Sequence, residues 1–175
     1  VLSGRTVQQA AFETGQPFGG EYPGSLMGAI ALVRQSLYDA RWAAGFPSDA
    51  PPPEANLALP PLADLLSGQN SVWWRTQDEL DPGRVAALNS EFGLRSVLLG
   101  NGHEYRVLPT LKAAGMPVIA PLRFPEAPKA HSQAELLALS LAQLQHWEQA
   151  PANPARLSEA GLKLALTSAG LEKPA

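Results

Sequence analysis

Three histidines, no cysteine and a few polar residues at apolar-run ends are what this sequence offers for chemistry. His103 follows Gly100-Asn101-Gly102 and precedes Glu104; His131 sits in EAPKAHSQ; His146 lies toward the end of SQAELLALSLAQLQHWEQ. The three are 28 and 15 residues apart, so no H-x-H or H-E-x-x-H ligand spacing occurs. Without cysteine, disulfides, thiolate metal sites and a Cys nucleophile are all excluded. No G-x-S-x-G elbow is present.

Each feature has a plain structural use beside the chemical one. Gly100-Asn101-Gly102 could cradle a phosphate on its amides. It lacks the third glycine and the later acidic partner of a dinucleotide fingerprint, and a simple strand-to-helix turn suffices. His103 and Glu104 are neighbours at a helix start, where side chains diverge by about 100°. They do not aim at one atom as an acid/base pair; the helix dipole accounts for Glu104 and, at the other helix end, for His146. His131 reads as solvated. Trp73 and Trp74 would face opposite sides of a strand, which suits core packing better than stacking on a ligand.

The elements that must carry these residues repeat. An amphipathic helix ends at a glycine and a short apolar strand follows in ADLLSGQNSVWWR, NSEFGLRSVLLG, LKAAGMPVIAP and LSEAGLKLALTS. The glycines are Gly68, Gly93, Gly115 and Gly161, spaced 25, 22 and 46 residues apart. Glycine there is a left-handed helix cap. The runs VWW, SVLL, PVIA and LALT do not alternate, which predicts strands buried on both faces. Asp81-Pro82 and Asn153-Pro154 read as helix starts. Upstream, SLMGAIALVRQSLYDARW has helical spacing with Ser25 as its cap. Residues 1–24 read as an irregular lead-in, and 47–61, with six prolines, as a stiff loop. The opening reads like a chain entered partway through.

Repeated β-α units imply a parallel sheet with right-handed crossovers, either an open doubly wound sheet or part of a barrel. The expected fold is therefore α/β, a partial (β/α)8 barrel of about four units plus an N-terminal helix. A full barrel needs about 250 residues, and the chain has 175. Ligands of such sheets bind at the carboxyl ends of the strands. There the sequence places Arg75, Asn101, His103, Glu104 and Arg123. Two arginines favour an anionic small molecule.

Composition bounds the rest. The net charge of −3 and pI near 5.6 give no basic face for nucleic acid or anionic membrane. No apolar run approaches the roughly 20 residues of a membrane span, and the opening residues lack a signal-peptide pattern. Absence of cysteine suits a bacterial periplasm or a cytoplasm equally. Charged residues are only 17%, below the usual quarter, which points to surface covered by a partner.

WEQAPANPARLSEAGLKLALTSAGL resembles the closing region of amidohydrolase-superfamily proteins related to imidazolonepropionase. SLMGAIALVRQSLYDARW and EFGLRSVLLGNGHEYRVLPTLKAAGMPVIAPL are similar to the same group, so the resemblance runs from about Tyr22 onward. It implies an eight-stranded barrel that hydrolyses C–N bonds with zinc or a similar divalent metal activating water. The family's ligands are an H-x-H on the first strand, a Lys or Glu on the fourth, histidines after the fifth and sixth, and an Asp after the eighth. This chain has no H-x-H and places Arg75, Asn101 and Ala169 where the last three are expected, with His103 two residues late. A guanidinium repels a divalent ion and has no acceptor to offer. The expectation is thus a metal-free, non-catalytic amidohydrolase-like domain serving as scaffold, interface or small-molecule binder. The alternatives are a fragment of an active hydrolase of non-peptide C–N bonds and an unrelated open-sheet binding domain. A half barrel exposes two sheet edges, which predicts a homo-oligomer or pairing with the missing half of the same protein.

Overall fold

A computed structural model describes residues 7–15, 22–47 and 56–171. Its elements are β1 (Gln8–Ala11), α1 (Leu26–Ala44), α2 (Leu59–Leu66), β2 (Val72–Arg75), α3 (Asp81–Phe92), β3 (Ser96–Leu99), α4 (Leu108–Ala114), β4 (Val118–Pro121), α5 (Gln133–Ala138), α6 (Leu141–Gln149), α7 (Asn153–Glu159) and β5 (Leu164–Thr167). Strand order is β1-β2-β3-β4-β5. The pairs β1–β2, β3–β4 and β4–β5 are parallel, with Gln8 opposite Val72, Leu98 opposite Val118 and Val118 opposite Leu164. This is the α/β, partial-barrel fold that the repeat predicts, with five strands instead of about four. The added strand, β1, lies in the stretch expected to be an irregular lead-in.

The four repeat glycines behave as helix stops. Gly68, Gly93, Gly115 and Gly161 have φ between 62° and 76°, a region open to glycine and costly for residues with a Cβ. Ser25 caps α1, its Oγ accepting from Gly28 N at 3.2 Å. The expected helix over residues 132–149 is two. Leu139 is extended, and Ser140 starts α6 with a reciprocal capping box to Gln143. The doubled spacing between Gly115 and Gly161 is taken up by β4, α5, α6, a turn of 3-10 helix and α7.

The chain forms two compact units, residues 1–75 with 84–97 and residues 76–83 with 98–175. In the first, Leu37, Ala40, Leu65, Val72, Val85 and Leu88 are buried. Phe12 stacks on Trp74 with centroids 5.1 Å apart, and the buried Trp74 indole N–H donates to Ser96 Oγ at 3.0 Å. An apolar cavity of about 260 Å³ is lined by Leu32, Val33, Leu37, Leu62, Leu65 and Trp74, among others.

In the second unit Leu98, Leu111, Met116, Val118, Ala120 and Leu157 are buried. Burial departs from the expectation of strands covered on both faces. In β3 and β4 alternate residues are fully buried and those between them only partly, and β5 has no fully buried residue. β5 ends the strand order, so no strand among the described residues pairs beyond it, and Leu166 is 54% exposed.

Candidate functional site

In the second unit the carboxyl ends of β3, β4 and β5 lead into turns that surround a cavity of about 700 Å³. Asn101 enters its lining from the turn after β3, Arg123 and Glu126 after β4, and Ala169 and Gly170 after β5; α6 adds His146. The position follows from the parallel sheet, in which all three strands deliver their chain ends to one side.

The turn after β3 is organised by Glu104. This carboxylate is 3% exposed. Its Oε1 accepts from the amides of Asn101 at 2.6 Å and Gly102 at 3.1 Å. Its Oε2 accepts from Gly102 N at 3.2 Å and from the Asn153 side-chain amide at 2.6 Å. A Cβ at position 100 would collide with the same carboxylate, so Gly100 is required by close approach. Residues 100–102 thus form the simple strand-to-helix turn expected, and the amides of Asn101 and Gly102 that could have met a phosphate are taken by the chain's own carboxylate. Glu104 does start a short helical turn, as expected, and its side chain is buried beneath the preceding residues. Asn153 is not a cap but an interior group, 1% exposed, that reaches back to Glu104. Among the described residues, Asn101 Nδ2, His103 Nδ1 and Asn153 Oδ1 are buried without a hydrogen-bond partner.

His103 and His146, 43 residues apart in sequence, lie face to face, with centroids 3.7 Å apart and planes 8° from parallel. His146 Nδ1 is 3.3 Å from Tyr105 Oη, and Arg106 Nε donates to the same oxygen at 3.1 Å. Burial, then the neighbouring His103 and Arg106, push the His146 pKa down, with Glu104 opposing them. The dipole role expected for His146 is thus overlaid by surroundings that disfavour its charge. His131 is exposed, as expected.

Of the residues singled out by sequence, Asn101 and Arg123 share the cavity, and Ala169 lies in its lining. His103 backs His146, and Glu104 lies under the turn. Arg123 has no hydrogen-bond or ion-pair partner among the described residues; its side chain passes against Gly170, whose added Cβ would lie 3.2 Å from Arg123 Cδ. Arg75 belongs to the first unit, where it ends β2 in an exposed ion pair with Glu13 at 3.1 Å. His146 and Asn153 carried sequence signals only for a helix end and a helix start, and Tyr105, in the short helical turn after His103, was not singled out at all.

These groups do not fit a divalent metal. Among the described residues no three His, Cys, Asp or Glu come together. The one buried carboxylate of the turn is already engaged by two amides and an asparagine.

No protein-family model matches the chain, and no curated protein matches it. Among solved structures, the fold is similar to that of an amidohydrolase from Thermotoga maritima MSB8, with a TM-score of 0.63 and 16% identity. The match covers 95% of this chain and 42% of that one. The chain thus has the fold of part of an amidohydrolase and spans less than half of that neighbour's length.

Proposed function

We propose that this chain is an amidohydrolase-like domain that binds a small anionic molecule at the ends of β3, β4 and β5 and does not carry out metal-assisted hydrolysis. The observation that carries this is the strand-end cavity. It presents the guanidinium of Arg123, unpaired among the described residues, and contains Asn101 and Ala169, which the sequence resemblance sets where the family supplies metal ligands. Asparagine is a weak metal donor, alanine none, and an arginine beside them favours an anion over a cation. The likeness to an amidohydrolase supports the fold on which this reading stands.

The domain further needs a cover for its outer strands, supplied by a second copy or by the remaining part of a longer barrel. Exposed Leu166 on β5 and the 42% coverage of the neighbour favour this. A second reading, a fragment of a C–N hydrolase whose metal ligands lie elsewhere, is favoured by that same partial coverage.

Native mass spectrometry after incubation with one equivalent of zinc tests these readings together. The expected result is a species without retained zinc, with the mass of a dimer if copies cover each other. Retained stoichiometric zinc would put the hydrolase-fragment reading in its place.

A further inference from the structure

We propose that His146 is locked as a neutral imidazole with its proton on Nε2, and that with Arg123 it recognises a carboxylate, not a phosphate, in the cavity of the second unit. The inference rests on the anion-site reading and adds the ligand class and the residue that selects it.

The lock is an assignment of donor and acceptor. Arg106 Nε can only donate, and it does so to Tyr105 Oη at 3.1 Å. The phenol oxygen keeps a second lone pair, so the 3.3 Å contact with His146 Nδ1 allows either direction. In the proposed arrangement the hydroxyl gives its proton to Nδ1, which then offers its lone pair. A neutral ring has one N–H, so Nε2 carries it.

The surroundings hold the ring neutral. The parallel ring of His103 lies at 3.7 Å, and Arg106 is close by. Glu104 attracts a proton toward the ring, but its carboxylate is already engaged by two backbone amides and Asn153. Tyr105 is fixed in turn by the guanidiniums of Arg106 and Arg156, 5.6 and 5.7 Å from its ring centroid. Arg106 is itself tied to Glu79 at 2.7 Å.

The ligand class follows from which donors remain. A phosphate wants several amides or a cluster of cations around its oxygens. The amides that would serve, those of Asn101 and Gly102, are spent on Glu104. Of the charged lining residues, Glu126 is paired with Lys129 at 3.3 Å, which leaves Arg123 as the charge without a partner among the described residues. One planar guanidinium with one neutral N–H matches two carboxylate oxygens.

Long-range ¹⁵N–¹H correlation of the histidine rings, followed through titrations with succinate, phosphate and succinamide, tests this. Expected are an acceptor-type Nδ1 and a protonated Nε2 on His146 near neutral pH. Saturable shifts at His146 and Arg123 should follow with succinate, weaker ones with phosphate and none with the uncharged succinamide. Tyr105→Phe keeps the ring and removes the hydroxyl. It should erase the tautomer preference and weaken succinate about threefold to tenfold, the worth of a neutral hydrogen bond. Arg123→Gln should weaken it by at least about tenfold, as loss of a charged partner does.

If succinate binds but His146 carries its proton on Nδ1, or Tyr105→Phe leaves the affinity unchanged, the inference fails and the anion-site reading stands. Phosphate binding more tightly than succinate would overturn the carboxylate assignment. No saturable shift at either residue with any anion would overturn the anion-site reading and the inference together. The tautomer measurement on the unaltered protein needs no variant to fold.

Discussion

The two units use the same β-α geometry and end their strands in opposite ways. In the first, β2 finishes on Arg75, whose charge is met at once by Glu13 in solvent, and the unit's cavity is apolar. In the second, the turns after β3, β4 and β5 enclose a polar cavity and leave Arg123 without a partner among the described residues, and two histidines stack beside it. Both units carry an arginine at a strand end, so the residue type alone does not make a site. What differs is where the compensating charge sits. Glu13 neutralises Arg75 directly, whereas Glu126, the carboxylate that lines the cavity with Arg123, pairs with Lys129. A guanidinium is free to take a ligand only where the nearby carboxylate has other work.

The most forceful way to break the comparison is Glu104→Ala. It strips the acceptor from the part-buried amide of Asn101 and from the buried Gly102 amide and Asn153 side chain. Unsatisfied buried donors cost about 1–3 kcal/mol each, so a loss of roughly 3–5 kcal/mol in chemical denaturation is expected. A loss below about 1 kcal/mol would mean that water replaces the carboxylate and that the turn does not depend on it. Glu104→Gln retains one acceptor oxygen and should fall between.

The first unit has a neutral counterpart. Ser96 Oγ accepts the buried Trp74 N–H and is bonded in turn to Asn89. Ser96→Ala should cost about 1–2 kcal/mol. Of the four tryptophans, Trp42, Trp73 and Trp74 lie in the first unit. The change should therefore be read by tryptophan emission as well as by circular dichroism. An effect as large as that of Glu104→Ala would erase the distinction between a neutral and a charged organising group.

Acid separates the units by pH window. His146 has its pKa lowered by burial, His103 and Arg106. As pH falls, the unfolded chain takes that proton first, so stability begins to drop below the ordinary imidazole value. Glu91, in the first unit, is lowered by hydrogen bonds from Arg34 and Tyr38. Its contribution is present above the ordinary carboxylate value and fades as pH falls through the lowered one. Urea midpoints from about pH 8 down to about pH 2 should thus fall in two stages. His146→Gln should flatten only the upper stage. If it leaves both unchanged, the ring is not held neutral.

How much of this was legible follows from which signals are local. The helix ends were, because Gly68, Gly93, Gly115 and Gly161 mark positive φ directly. β1 was not, because Gln8-Gln9-Ala10-Ala11 has no strand-favouring side chains and becomes a strand by pairing with β2. The break before α6 was written in Ser140-x-x-Gln143, a capping signal hidden inside a continuous helical period. The strand-end rule found Asn101 and Arg123 because it depends only on topology. It could not distinguish Arg75 from Arg123, since Glu13, 62 residues away in sequence, meets Arg75 only in three dimensions. The stacking of His103 on His146 joins residues too far apart in sequence for any spacing rule.

Arg75→Ala is the smallest effect and the sharpest control. Both partners of its ion pair are more than half exposed, at 62% and 58% of the side chain. Solvent and salt screen such a pair, so the stability change should stay below roughly 0.5 kcal/mol and shrink further in salt. Succinate binding should also be unchanged, because Arg75 is absent from the lining of the cavity that holds Arg123. The two arginines thus form a matched pair of substitutions, one at each unit's strand ends. If Arg75→Ala weakened the anion as strongly as Arg123→Gln, a local counter-charge would not be what silences a strand-end guanidinium, and the contrast between the units would lose its physical basis.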